Sequence, residues 1–209
     1  MEDDGFVGVT AELNPEILVQ GYSQGCFPWS ENPAAWYCPD PRAVFELEDI
    51  HFSKRLLRQV RQNKYQVTFD QAFEDVIKAC AKSHDSTWIG PEFLRAYIAF
   101  HREGYAHSVE VWDEKELVGG LYGVHLKRMF CGESMFSLRK NTSKLAFYYL
   151  VQKLKSLNVE LFDSQVLNPH TASLGAKAVA RSTFLRRVST ALSGKSPWTN
   201  DWSSPLPKQ

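Results

Sequence analysis

The run Ala106–Asp163, AHSVEVWDEKELVGGLYGVHLKRMFCGESMFSLRKNTSKLAFYYLVQKLKSLNVELFD, decides the fold. His107–Trp112 and Leu117–Gly123 are rich in strand formers and flank the polar turn Asp113–Glu116, which reads as a hairpin. Arg128–Phe136 supplies a third strand. Asn141 then opens a helix to about Leu157, with Phe147, Leu150, Val151 and Leu154 recurring on one side. Val159–Asp163 is a further strand. Three antiparallel strands, a helix and a strand predict an α+β fold, a mixed sheet flanked by helices with one right-handed crossover.

Upstream, Asn14 and Pro15 open a short helix that ends at Gly25. The proline-dense connector that follows, through Arg42, predicts irregular backbone. Val44–Leu47 reads as a strand, Ser53–Asn63 as a helix and Gln66–Thr68 as a strand. Asp70 is placed to cap a helix to about Lys82, and another runs from Pro91 to Gly104. A helical turn at His170–Leu174 ends at Gly175. The Pro- and Ser-rich tail from Ser193 reads as a surface wrap. A small N-terminal lobe and connector over residues 1–40 and a catalytic body over 41–209 are expected.

The chain has 209 residues, enough for one sizeable core, and its 24 basic and 24 acidic residues cancel. Proteins that coat nucleic acid non-specifically are usually basic, so any RNA contact must be a local patch. The acidic start Met1-Glu-Asp-Asp and the absence of a long apolar run argue against a targeting peptide or a membrane span. Cys26, Cys38, Cys80 and Cys131 form no CxxC pair. They read as isolated small hydrophobes in a reducing cytoplasm.

Four segments carry more specific information. They are Gly25-Cys-Phe-Pro-Trp29, Trp36-Tyr-Cys-Pro-Asp-Pro-Arg42, Gly132-Glu-Ser-Met-Phe-Ser137 and Phe162-Asp-Ser-Gln-Val-Leu-Asn-Pro-His-Thr-Ala-Ser-Leu-Gly-Ala176. Thr87-Trp88-Ile89 and the hairpin run join them. In this order they resemble the leucyl/phenylalanyl-tRNA–protein transferase family, from about Gly21 to Phe184. The resemblance implies a GNAT-like body that uses no metal or coenzyme. It implies transfer of Leu or Phe, with Met a weak donor, from aminoacyl-tRNA to N-terminal Arg or Lys, marking the acceptor for N-end-rule degradation. Leu150 stands where an aromatic residue is expected, which bears on the Leu-versus-Phe preference.

The reaction joins an activated ester to an α-amine of pKa roughly 7.7–8.0. It needs positioning, proton removal and oxyanion stabilisation rather than a covalent nucleophile. Asp163 and Gln165 lie two apart at a strand end and so share a side. The expectation is that Gln165 holds the attacking amine while Asp163 polarises it or takes the proton. By residue type alone Asp163 is equally a cap or a surface acid. Glu133, in a sheltered strand, is expected to orient Gln165 or the donor's amine, or to make a structural hydrogen bond. Leu121, Met135, Phe147, Leu150, Leu154 and Phe162 are core by spacing; the resemblance makes part of this set the amino-acid pocket.

Trp29 and Trp88 are expected to stack on the terminal adenosine, with Tyr22 and Tyr97 as weaker candidates. Lys54, Arg55, Arg58, Arg61 and Lys64, with no acid among them, form the expected tRNA-binding face. Lys177, Arg181, Arg186 and Arg187 make a vaguer second basic region. Asp40, Glu110 and Glu133 are the candidate acids for the acceptor side chain. His107, His125 and His170 share no metal-binding spacing and read as structural or solvated.

Three other readings are weaker. Ser134 and Ser137 lack a GxSxG elbow, which excludes a hydrolase triad. A coenzyme A acetyltransferase needs a Gly-rich turn before its helix, whereas Leu138–Lys144 has no glycine. A non-catalytic RNA-binding module would use the tryptophans and the basic helix alone. A cytoplasmic monomer acting away from membranes is expected.

Overall fold

The computed structural model describes residues 5–83, 88–193, 202–204 and 206. Thr87 and most of the tail lie outside the described residues.

The chain begins with β1 (Phe6–Thr10), α1 (Pro15–Ser23), β2 (Phe27–Pro28) and β3 (Ala34–Tyr37). The three strands make a small antiparallel sheet in the order β1-β3-β2. The connector is therefore not irregular throughout. Its prolines lie at Pro28, Pro33, Pro39 and Pro41, at the ends of short strands or outside them, so β3 keeps its donors. Asn14 caps α1, its side chain accepting from the Ile17 amide, with Pro15 at the first helical position.

The main sheet begins with β4 (Arg42–Phe45). There follow α2 (Lys54–Gln62), β5 (Gln66–Phe69), α3 (Phe73–Lys82), α4 (Pro91–Arg102), β6 (Ala106–Asp113), β7 (Glu116–Leu126) and β8 (Met129–Ser137). Next come α5 (Thr142–Ser156), β9 (Leu161–Gln165), α6 (Pro169–Ser173), β10 (Lys177–Val179) and α7 (Arg181–Ser193). The seven strands run β10-β4-β9-β8-β7-β6-β5. Among these neighbours only β8 and β9 are parallel, joined through α5. This is the expected α+β, GNAT-like arrangement.

Both faces of the sheet are covered. Tyr122, Val124 and Cys131 pack with Phe73, Val76 and Ile77 of α3, Phe93, Tyr97 and Phe100 of α4, and Phe184 of α7. On the other face Leu121, Phe130 and Phe162 pack with Phe147, Leu150 and Leu154 of α5 and Leu56 of α2. Trp202 closes this face: it stacks on His107 at 4.4 Å and donates to His125 Nδ1 at 3.0 Å.

Three details differ from the expectations or add to them. Asp70 is not a helix cap; Ala72 holds that place, and Asp70 accepts from the Ser108 amide and bonds His107. The side chain of Asn141 makes no capping bond, although the helix does start there. The elements β1, β10 and α7 have no counterpart among the elements expected from sequence. The first two are short edge strands, and α7 mixes Ser, Thr and Arg into a weakly periodic pattern.

Candidate functional site

The parallel register of β8 and β9 runs Met129↔Leu161, Phe130↔Phe162 and Cys131↔Asp163, and stops there. Beyond it β8 stays with β7 while β9 pairs with β4, Ala43 opposite Gln165. The two strands part, and a cavity of about 550 Å³ opens between Gly132–Ser137 and Phe162–Val166. A crevice at the carboxyl end of parted parallel strands is where open α/β sheets commonly bind ligands.

One end of the cavity is apolar. Leu121, Met135, Phe147, Leu150 and Phe162 line it, with Phe45 and Leu174. Leu154, grouped with these from the sequence, is fully buried in the core beneath and does not line the cavity. Trp29 and Trp88 also line the cavity, with Phe27 and Pro28. Trp29 is 46% exposed, a free face braced by Phe27 and Tyr37.

The polar end is built around Glu133. Its Oε1 accepts from the Tyr22 hydroxyl at 2.7 Å and from Gln165 Nε2 at 2.8 Å. Tyr22 and Tyr97 share a short hydroxyl–hydroxyl bond. Burial pushes both phenols well above the ordinary tyrosine range, which keeps them protonated. Glu133 Oε2 has no partner among the described residues. Burial outweighs the two donors and raises the Glu133 carboxyl to about 7. A carboxylate that titrates near neutrality beside a cavity, with one oxygen uncommitted, is suited to accept a proton.

Gln165 reaches Glu133 because its backbone is held in the left-handed region at φ 63°. A non-glycine residue rarely stays there unless its surroundings hold it. Here the Asp163 carboxylate accepts the Gln165 amide at 2.9 Å. Asp163 is in turn gripped by Arg42, Nε to Oδ1 at 2.8 Å and Nη2 to Oδ2 at 2.6 Å. Both residues are essentially buried, and the guanidinium lies over the rings of Phe27 and Phe184. Asp163 thus faces Arg42 and does not line the cavity, whereas Glu133 and Gln165 do.

The other expected groups fall elsewhere. Lys54, Arg55, Arg58 and Arg61 are exposed along α2 and have no ion-pair partner among the described residues. Lys64 faces Asp113 at 3.6 Å. The start of α2 meets the cavity wall through Phe52, which packs edge-on to Phe147. The second basic region is partly neutralised: Lys177 pairs with Asp49 and Arg187 with Glu46. Glu110 is buried and bonded by Thr68 and Ser108, and Asp40 accepts from the Arg181 amide.

His170, which lies inside one of the motifs but was read as structural or solvated, lines the cavity 3.3 Å from Met135 Sδ. Asp70, His101 and His107 bring ligand atoms within 4.8 Å of one another, a grouping that the spacing of His107, His125 and His170 does not suggest. His107 already contacts Asp70 and the Gly104 carbonyl, and His101 the Ala106 carbonyl. None of the three lines the cavity. The role of Arg42 was not expected from sequence; the residue closes one of the motifs, but its partner lies 121 positions away.

Residues 44–189 match the family model described as leucyl/phenylalanyl-tRNA protein transferase, and residues 11–40 match the model of its N-terminal domain. The chain is similar to proteins carrying that description. The Proteus mirabilis relative is 46% identical over 191 residues, covering 90% of this chain and 83% of the relative. For the Anaeromyxobacter relative the values are 46% over 197 residues, 91% and 84%. For that of Christiangramia forsetii they are 45% over 193 residues, 88% and 91%.

The buried ion pair makes a sharp expectation. Arg42→Met strands the Asp163 charge and is expected to lower unfolding stability by about 3–5 kcal/mol, read from urea denaturation. Arg42→Met combined with Asp163→Leu should recover most of that stability, because an apolar pair of similar volume leaves no charge buried alone.

Proposed function

The chain belongs to the leucyl/phenylalanyl-tRNA protein transferase family, and from that membership we propose that it moves a leucyl or phenylalanyl group from tRNA to the α-amine of an acceptor protein. The observation that carries the reading is a cavity with an apolar lining to which Glu133 also belongs, its buried Oε2 without a hydrogen-bond partner among the described residues.

In this reading the donor side chain enters between Leu121, Met135, Phe147, Leu150 and Phe162. Such a wall separates apolar shapes weakly, since one methylene is worth about 1–3 kcal/mol, so methionine is a minor donor. The adenosine rests against Trp29 and Trp88. The acceptor amine attacks the ester carbonyl, a C–N bond forms, and the bond to the ribose oxygen breaks. Glu133 Oε2 receives the proton from nitrogen and returns it to the departing oxygen. Gln165 and Tyr22 hold the carboxylate, and Asp163 acts one step back by holding the Gln165 backbone. The geometry favours Glu133 over Asp163 as proton acceptor, because both Asp163 oxygens already accept hydrogen bonds.

The acceptor begins with Arg or Lys, and its modification marks it for N-end-rule degradation. Residues 1–40 serve as the small lobe and connector and 41–209 as the catalytic body, working as a monomer in the cytoplasm. No described helix is long and apolar enough to cross a membrane.

Two measurements test this reading. Purified protein given radiolabelled Leu-tRNA and a peptide beginning with Arg should yield labelled peptide, and its turnover should rise with pH through about 7 as Glu133 ionises. Glu133→Gln should lower kcat by about 10²–10⁴ and abolish that limb. Because folding raises this carboxyl, its contribution to wild-type stability is fully present below its unfolded value and is lost as pH rises from there through about 7. The Gln variant should still unfold cooperatively in urea, which shows that it is folded, and should lack that decline. Near-normal turnover with an unchanged pH profile would overturn the assignment.

Exposed cations on α2 contact the tRNA backbone, so they add affinity without sequence preference. Replacing Lys54, Arg55, Arg58 and Arg61 by Gln should make the log–log salt dependence of tRNA binding shallower by roughly 0.7–0.9 for each phosphate no longer neutralised. An unchanged slope would remove the patch.

A further inference from the structure

The pairing of β2 with β3 brings together two cysteines that stand twelve positions apart in the chain. Phe27 lies opposite Tyr37 and Pro28 opposite Trp36. The next pair outward is Cys26 with Cys38. The Trp29 amide donates to the Ala35 carbonyl, so hydrogen-bonded and non-hydrogen-bonded pairs alternate from there. Cys26 and Cys38 then form a non-hydrogen-bonded pair. Their amides agree: they turn away from each other, to the Gly21 and Gly5 carbonyls. Such pairs have Cα atoms about 4.5 Å apart, inside the roughly 4.4–6.8 Å that a disulfide spans.

The two thiols lie close enough to influence each other, and the Cys26 thiol donates to the Gln24 carbonyl at 3.8 Å. Two cations lie close. Arg181 Nη1 donates to the Cys38 carbonyl at 2.9 Å, and Arg42 is the other. Contact with Cys26 is the largest influence on Cys38 and, with these cations, holds its thiol below the ordinary range against the effect of burial, while the same contact pushes Cys26 up. All four cysteines are buried, but Cys26 and Cys38 keep 7% and 5% exposure, whereas Cys80 and Cys131 are sealed and burial raises both.

We infer that Cys26 and Cys38 are a reversible dithiol–disulfide couple, closed by the disulfide of a small thiol such as glutathione. The Cys38 thiolate attacks one sulfur of the small disulfide and releases one small thiolate. Cys26 then gives its proton to the medium and attacks Cys38 Sγ, releasing the second small thiol. One protein S–S bond forms, one small-molecule S–S bond breaks, and two electrons and two protons pass to the small thiols. The couple sits at the root of the strand whose Phe27, Pro28 and Trp29 line the cavity. Closing it also removes the thiolate that faces Arg42, the residue that holds Asp163. The inference does not depend on which reaction the cavity performs.

The test uses the folded, fully reduced full-length protein in mixtures of reduced and oxidised glutathione, quenched with acid and alkylated. Two of the four thiols should disappear together, with a mass decrease of two hydrogens and a peptide joining Cys26 to Cys38, and dithiothreitol should restore all four. Cys26→Ser should accumulate a glutathione adduct on Cys38. Cys38→Ser should form its adduct on Cys26 at least ~10-fold more slowly. The inference is overturned if the wild-type protein keeps four thiols in excess oxidised glutathione, if the bond involves Cys80 or Cys131, or if closure occurs only in denaturant. The wild-type result decides the matter even if a variant fails to fold.

Discussion

The ion pair between Arg42 and Asp163 is the contact on which the rest of the site depends. Two charges removed from water are stable only when geometry and further hydrogen bonds compensate them. Here the guanidinium meets the carboxylate through two parallel bonds, and the same carboxylate accepts a backbone amide. Phe27 and Phe184 cover the cation, so the small sheet, α7 and the main sheet converge on one side chain. The consequence reaches Gln165, whose left-handed backbone turns its amide group toward Glu133.

The cavity follows from topology. Two parallel strands stay paired for three residues and then part, each keeping its neighbour on the other side, which leaves a gap whose walls belong to one sheet. One side of the gap inherits the apolar surface of β7, β8 and α5; the other receives groups from the strand ends and from α1. Glu133 stands at the junction. Burial favours its neutral form while the Tyr22 and Gln165 donors favour its ionised form, and the balance falls near neutral pH.

The hairpin, the long helix and the following strand were legible because their apolar periodicity matches their final burial. The apolar lining was legible in part. Leu154 has the same periodicity as Leu150 but points one layer deeper, a difference that spacing cannot express. The small sheet was hidden by its prolines and by β1, whose Phe6, Val7 and Val9 stay exposed and so show no buried face. The polar machinery was the least legible. Tyr22 meets Glu133 across 111 positions and Arg42 meets Asp163 across 121. Such pairings are set by the tertiary fold, and no local pattern encodes them. The same holds for Cys26 and Cys38, which look isolated along the chain yet face each other across two strands.

The central claim is that the acyl carbonyl is presented to the Glu133–Gln165 end of this cavity while its side chain occupies the apolar end. A crystal structure with a non-hydrolysable leucyl-adenosine amide tests it most directly. The account predicts the isobutyl group among Leu121, Met135, Phe147 and Leu150, with the carbonyl carbon facing Glu133. A complex with the acyl group outside the cavity, and Glu133 facing no ligand atom, would contradict it.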